Sequence, residues 1–589
     1  MSRSLAALFA SFFLAVLLGC GGRAAPNVAA SLASVTASGA SEYSNPLRIT
    51  TGSGSVVESC PDPAIIRGQK PGDDLWYMYC TEDRFQDGGR LHYIAISASR
   101  DLVTWSYVGD VFSDRPSWVS DDGYVWAPDV QFFNGRYYLY YAASDTKLGG
   151  SAIFVATSDS PLGPWSAAST PVVPPSSPRW TIDPFVAEDG GQRYIFFGSF
   201  VGGISARALS ADGMTSSPSE TPIAVADRYE AAYIVRHDGY FYLFVSAGAC
   251  CNGPLSGYGV FAARSQNLLG PYLDRDGNSL LEPRVGGTPV LAMNGNRWIG
   301  PGHNSMVTDA AGQDWMLYHA ISAEKPYFSG SWTRRPAMLD RVDWIDGWPR
   351  VRGGAGPSDS PQTAPFMAPA SQLPVATAAP SDIPAAIVSA ASDDFSAFAL
   401  APNWSWIRPP APGSYGLDSE GFRFDTQAGQ IYVNQNNASV LVEAAPAGDY
   451  IVETRISTTV PTVGAFNYAQ AGLLIYKDDA NYVKLASVAI NQTRQLEFAK
   501  QLNGVPSGSP QYGSALLASP ADFTWLRIAR RATANGETYT SYSSHDGIRW
   551  EGGATWTHTL GGNVKIGLVS MAGAGFTAHF SYVRVYSLN

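Results

Sequence analysis

A chain of 589 residues is too long for one ordinary hydrophobic core, so two folded domains with connecting segments are expected. Hydrophobic residues make up 45% and aromatic residues 12%, ample for such cores. The formal net charge of −11, with no local Lys/Arg cluster, excludes nucleic acid as a partner, because phosphate binding needs a basic surface.

At the start of the chain, Arg3 precedes an apolar run from Leu5 to Leu18 that is too short to span a membrane. The run ends in Leu17-Leu18-Gly19-Cys20, which resembles a bacterial lipoprotein signal. Residues 1–20 are therefore expected to direct export, with Cys20 lipidated and the protein anchored at an outer membrane, in the periplasm or on the cell surface. The alternative, an ordinary signal with an incidental cysteine, exports the protein equally. Residues 21–43 are rich in Ala, Ser and Gly and read as a flexible tether. Of the remaining cysteines, Cys60 and Cys80 can pair in an oxidising compartment, while adjacent Cys250 and Cys251 can form a vicinal disulfide or stay reduced. No C-x-x-C or His cluster accompanies them, which argues against zinc.

Residues 44–352 are all-β in texture, with short aromatic and β-branched runs between Gly, Pro, Asn and Asp. One pattern recurs at a spacing of roughly 60 residues: a polar residue heads an apolar run, and an aromatic strand follows. Its heads are Asp62, Asp129, Asp183, Glu230 and His303; the aromatic strands begin at Trp76, Tyr137, Tyr194, Tyr240 and Trp315. Repeats that cannot bury both faces alone suit radial stacking, so a five-bladed β-propeller is expected, with the head residues meeting at one end of its axis. Carboxylates crowded there would push each other's pKa values apart, as acid–base chemistry requires. Residues 353–391 are dense in Pro, Ala and Ser and read as a linker. In residues 392–589, strands such as Tyr450-Ile451-Val452-Glu453-Thr454 alternate apolar and polar positions, which suits an antiparallel β-sandwich of jelly-roll type.

The first of these domains resembles glycoside hydrolase family 43, most closely its arabinanase branch. The matching strings include Cys60-Pro61-Asp62-Pro63, Trp126-Ala127-Pro128-Asp129, Thr181-Ile182-Asp183-Pro184, Gly198-Ser199-Phe200, Cys250-Cys251 and Pro301-Gly302-His303-Asn304. The resemblance implies an inverting glycosidase in which Asp62 is the general base, Glu230 the general acid, and Asp183 the group that raises the pKa of Glu230 and orients it. It further implies substrate contacts at Trp126, Asp129 and Ser199, Asp129 alternatively bracing the Trp126 loop. His303 would help hold a calcium or similar ion, through waters, in the channel below. Two departures bear on substrate detail: Pro61 stands where many arabinanases have His, and Ala231-Ala232 follow the acid in place of Gly-Pro or Ala-Pro.

The C-terminal region, with its Asp546-Gly547-Ile548-Arg549-Trp550 loop, is similar to the concanavalin-like sandwiches of family 43 xylosidases and arabinosidases. It is expected to bind sugar, to wall the propeller cleft, or to stabilise the fold. The resemblance points to a monomeric enzyme cutting α-L-arabinofuranosyl linkages in arabinan or related plant polysaccharide, with no organic cofactor. The alternatives are a β-xylosidase or exo-arabinofuranosidase acting on xylan, and a glycan-binding lipoprotein with no catalysis.

Overall fold

The aromatic runs become the second strands of five antiparallel sheets, and their period-two alternation is what joins these sheets into a ring. The computed structural model describes residues 35, 41–370, 373–503, 510–534 and 536–588; the signal and Cys20 lie outside them. Blade 1 is built from Ala64–Arg67, Trp76–Cys80, Leu91–Ser99 and Thr104–Phe112, and blade 2 from Val125–Phe133, Arg136–Ala143, Ala152–Ser158 and Ser166–Ala167. Blade 3 runs from Phe185–Asp189 to Thr221–Ala224, blade 4 from Tyr229–His237 to Thr288–Leu291, and blade 5 from Trp298–Thr308 to Trp348–Val351.

Successive side chains of a strand point to opposite faces, so each second strand serves two neighbours. Tyr77 and Tyr79 of blade 1 pack with Tyr137, Leu139 and Tyr141 of blade 2. The alternate residues Tyr138 and Tyr140 pack with Ile195 and Phe197 of blade 3. Phe196 turns the other way, to Phe241 and Leu243 of blade 4. Tyr242 and Phe244 meet Met316 and Tyr318 of blade 5, and Leu317 returns to Met78 of blade 1. Each interface has its own buried cluster, and the ring is closed. Tyr43 to Leu47 clasp it: Asn45 Nδ2 donates to Leu339 O at 2.9 Å and Leu47 N to Ala337 O at 2.9 Å, before Arg48–Thr50 pairs with the outer strand of blade 1.

One backbone feature repeats in every blade near the head of the inner strand. Asp62, Ala127, Asp183, Ala231 and His303 all have positive φ, between 44° and 57°. That conformation is unfavourable for a residue with a Cβ, by roughly 1–3 kcal/mol, so the surrounding blades must impose it. In blades 2, 4 and 5 the strand ladder loses register at the same place. Asp62, Asp183 and His303 occupy the position itself. In blade 4 the position falls to Ala231, one residue after Glu230, and in blade 2 to Ala127, two residues before Asp129.

The C-terminal domain is a sandwich of a seven-stranded and an eight-stranded antiparallel sheet. Its core is filled by Phe422, Phe424, Leu473, Leu485, Leu526, Trp556 and Phe580, all fully buried. It docks on the propeller through a buried Glu551 that pairs with both Arg275 and Arg350, the latter at 3.0 Å. Gly257 lies at the contact, where a Cβ would come 1.7 Å from Ser514 O, so only glycine admits the approach. The segment expected as a linker lies along both domains: Phe366 N donates to Asp309 Oδ2 at 2.9 Å, Asp382 N to Tyr542 OH at 3.1 Å, and Ala385 N to Ser587 O at 2.9 Å.

Candidate active site

A cavity of about 700 Å³ opens where the inner strands begin, lined by Asp62, Asp183, Glu230 and His303 together with Trp126 and Arg335. Four of the five expected head residues therefore meet. The fifth, Asp129, and likewise Ser199 are not among the lining residues. Asp129 accepts hydrogen bonds from Gln131 Nε2 at 3.0 Å and from Val186 N at 2.9 Å, and so ties blade 2 to the inner strand of blade 3. Ser199 is fully buried and accepts from Val201 N at 3.1 Å.

Asp62 is held from several sides. Thr81 Oγ1 donates to its Oδ2 at 2.7 Å and Arg335 Nη1 to its Oδ1 at 3.0 Å, while the Nδ1 atoms of His319 and His303 lie 3.1 and 3.3 Å from Oδ1. Burial pushes its pKa up, but the Arg335 guanidinium and then the two imidazoles outweigh burial and hold it well below the usual carboxylate range. A Cys60–Cys80 disulfide pins the chain next to both Asp62 and Thr81.

Glu230 has the opposite environment. Burial pushes its carboxyl up to about 7, the Asp62 charge adds to the push, and the Tyr258 hydroxyl, donating to Oε1 at 2.7 Å, opposes it. Asp183 is driven well above its ordinary range by burial and by the charges of Glu230 and Asp62. The repulsion between Asp183 and Glu230 puts the two carboxyls within electrostatic reach of each other, as the expected pKa-raising role of Asp183 requires. Asp183 also supplies position: its Oδ2 accepts from Ala231 N at 3.0 Å, fixing the backbone next to Glu230. An ionised carboxylate thus shares a cavity with a protonated carboxyl, the pairing that glycoside hydrolysis uses.

The family model for glycosyl hydrolases family 43 matches residues 55–349. The chain belongs to glycosyl hydrolase family 43. A second model, the concanavalin A-like domain found at the C-terminus of β-xylosidases, matches residues 392–584. An extracellular exo-α-(1→5)-L-arabinofuranosidase of Cellvibrio japonicus is 32% identical over 321 residues, covering 49% of this chain and 85% of that one. An extracellular endo-α-(1→5)-L-arabinanase of Bacillus subtilis is 32% identical over 312 residues, 50% of this chain and 88% of that one. Among solved structures, a Cellvibrio cellulosa α-L-arabinanase complexed with arabinohexaose is 30% identical, covers 50% of this chain and 95% of that one, and has a TM-score of 0.43.

Three side chains in this family 43 glycosidase escaped the sequence reading. Arg335, His319 and Tyr258 reach Asp62 or Glu230 from strands or loops with no head motif, and no local string marks them. Aromatic surfaces in the cavity are more numerous than Trp126 alone: Trp180 and Phe200 also line it, with ring centroids 5.6 Å apart. Cys250 and Cys251 form a vicinal disulfide in the same wall.

The C-terminal sandwich of the glycosidase completes that wall with Tyr468, Ile490, Gln495, Ser514 and Leu516. It also grips the chain leading into Glu230. Gln495 Nε2 donates to Asp227 O at 2.9 Å, Asn491 Nδ2 to Asp227 Oδ1 at 2.7 Å, and the buried Arg228 guanidinium to Leu517 O and Gln495 Oε1. Arg228→Ala is accordingly expected to lower kcat about 10–100-fold, since small misplacements of a catalytic group have effects of that order. Steady-state kinetics check this, and an unchanged kcat would show that the grip does not reach the acid.

Proposed function

We propose that the protein hydrolyses α-L-arabinofuranosyl linkages in arabinan with inversion, Asp62 activating water and Glu230 protonating the leaving oxygen. The observation that carries this is the contrast within one cavity: Asp62 held ionised by Arg335 and the imidazoles, Glu230 held protonated up to about 7. An inverting enzyme separates the two carboxyl groups by about 6.5–9.5 Å to admit water. Trp126, Trp180 and Phe200 offer faces for sugar rings, a contact that needs no charge partner. The similarity to an arabinofuranosidase and an arabinanase supports the choice of arabinan.

Residues of the sandwich form part of the cavity wall, which supports attack at or near chain ends over random internal cleavage. Digestion of linear 1,5-α-arabinan tests both points: arabinose or one short product is expected, and an early ladder of long oligomers would contradict end-wise action. Cleavage of xylo-oligosaccharides in preference to arabinan would instead favour the β-xylosidase reading, whose supporting observation is the β-xylosidase type of the C-terminal domain.

An ion in the channel is part of the proposal. Among the described residues no group of three or more His, Cys, Asp and Glu could hold a metal directly. Asn304 Oδ1 and Nδ2 and His319 Nε2 are nevertheless buried without a protein partner. Asn304 Oδ1, a neutral acceptor next in the chain to His303, supports a hydrated calcium-like ion held through waters. Such an ion would supply positive potential beneath the site. Treatment with a chelator is expected to lower kcat several-fold, with recovery on adding Ca²⁺; a rate unaffected by chelation would remove the ion from the account.

Export is supported by the two relatives named as extracellular. Lipidation at Cys20 is expected to place the protein in the membrane fraction and to label it with radioactive palmitate. Cys20→Ala should abolish the label and release the protein, and label persisting in that variant would exclude this anchor.

A further inference from the structure

We propose that the outer face of the C-terminal sandwich carries a second, non-catalytic binding site for a neutral oligosaccharide. The nature of its ligand rests on the polysaccharide reading above. A cavity of about 700 Å³ lies between the eight-stranded sheet and the loop at residues 394–398, and it shares no lining residue with the cavity around Glu230.

Strand alternation builds its floor. Ile456 and Phe580 point into the sandwich core, so Arg455, Ser457 and His579 point outward, Ser457 and His579 sitting opposite each other across the strands. The Arg455 guanidinium lies 3.9 Å from the Phe523 ring and 5.2 Å from that of Trp525. Its buried Nε has no hydrogen-bond partner among the described residues. The guanidinium lines the cavity, and, held in place by two rings, it presents its terminal N–H groups to an acceptor from outside.

The rim has matching chemistry. Phe398 is fully exposed, and Phe523, which carries Arg455 over one face, is 43% exposed. Asp418 and Glu420 lie 3.2 and 3.7 Å from His579 on the opposite side. Asp394 is occupied by Arg584 at 3.0 Å. Aromatic faces stack on the C–H faces of sugar rings, carboxylates accept from vicinal hydroxyls, and a guanidinium donates to hydroxyl or ring oxygens; a few such polar groups around an apolar surface make a ligand pocket. The acidic side chains Asp394, Asp418 and Glu420 in the lining disfavour an anionic ligand and leave a neutral glycan as the fitting class. A second grip of this kind raises the local concentration of polymer at the catalytic cleft without adding a contact there.

Calorimetric titration of the inactive Glu230→Gln full-length protein tests the proposal, with linear 1,5-α-arabinohexaose and xylohexaose as probes. Two sites are expected with at least one probe. In the background of Glu230→Gln, both Phe398→Ala/Phe523→Ala and, separately, Arg455→Met should reduce the count to one. Phe398 has no buried surface to lose, and circular dichroism verifies that each variant is folded. A single site in the Glu230→Gln protein, two sites kept in folded surface variants, or binding of oligogalacturonate in place of both neutral probes would overturn the proposal. Failure of the wild type to cut arabinan would strike the catalytic reading alone, because the surface variants still report on the second site.

Discussion

Glu230→Gln is expected to lower kcat on linear 1,5-α-arabinan about 10²–10⁴-fold, the usual contribution of a positioned general acid. The amide keeps the shape of the side chain and its contact with Tyr258 but has no proton to give the departing oxygen. An aryl arabinofuranoside whose leaving group is already a stable anion should lose far less, because that bond breaks without protonation. A uniform loss on both substrates would point to a distorted pocket. The same variant should be more stable than the wild type at alkaline pH. The Glu230 pKa is raised from an ordinary 4.5 to about 7, so the unfolded chain releases its proton first and folding stability falls as pH rises through that window. Glutamine does not titrate, and the advantage of the variant, on the order of 1–3 kcal/mol, should appear between those two values and vanish below the lower one. Thermal melts at several pH values measure it.

Asp62→Ala should reduce activity by a similar 10²–10⁴-fold for the opposite reason, loss of the base that activates water. Azide is a nucleophile that needs no deprotonation, and with an aryl arabinofuranoside it should restore turnover and yield a glycosyl azide of inverted configuration. Here stability should drop. Asp62 is the acceptor for Arg335 and Thr81, so its removal strands a largely buried guanidinium, and breaking such a pair typically loses about 3–5 kcal/mol. The two carboxyl variants are thus expected to be equally inactive and to shift the melting temperature in opposite directions. Residual activity in Asp62→Ala within tenfold of wild type would place the base elsewhere.

The propeller was legible because its signal is periodic. Each second strand alternates two sets of large side chains, and those sets, such as Tyr137/Leu139/Tyr141 against Tyr138/Tyr140, became the two flanks of one blade. The carboxylates Asp62, Asp183 and Glu230 were legible for the same reason, each heading an inner strand. The offset of Asp129 was not, because the left-handed position in blade 2 falls on Ala127, and a shift of two residues in a bulged strand leaves no trace in an apolar pattern. Arg335, His319 and Tyr258 were hidden more deeply, since they approach the acids through space from a strand and two loops whose local sequence is ordinary. The Pro/Ala/Ser-rich segment reads as a linker, but composition cannot reveal that its backbone donors find acceptors on both domains. Nor does any string announce the docking of the sandwich, which depends on Gly257 and Glu551 meeting surfaces far away in sequence.

Division of labour between one ionised and one protonated carboxyl is the claim from which the mechanism follows, and the pH dependence of kcat/KM on arabinan in wild type and Glu230→Gln tests it most directly. Activity requires Glu230 to carry its proton, so the wild-type rate should fall as pH rises through about 7, while the depressed pKa of Asp62 leaves the rate sustained well into the acid range. The residual activity of Glu230→Gln should show no such alkaline fall. An alkaline limb of the same position in both proteins would mean that another group donates the proton.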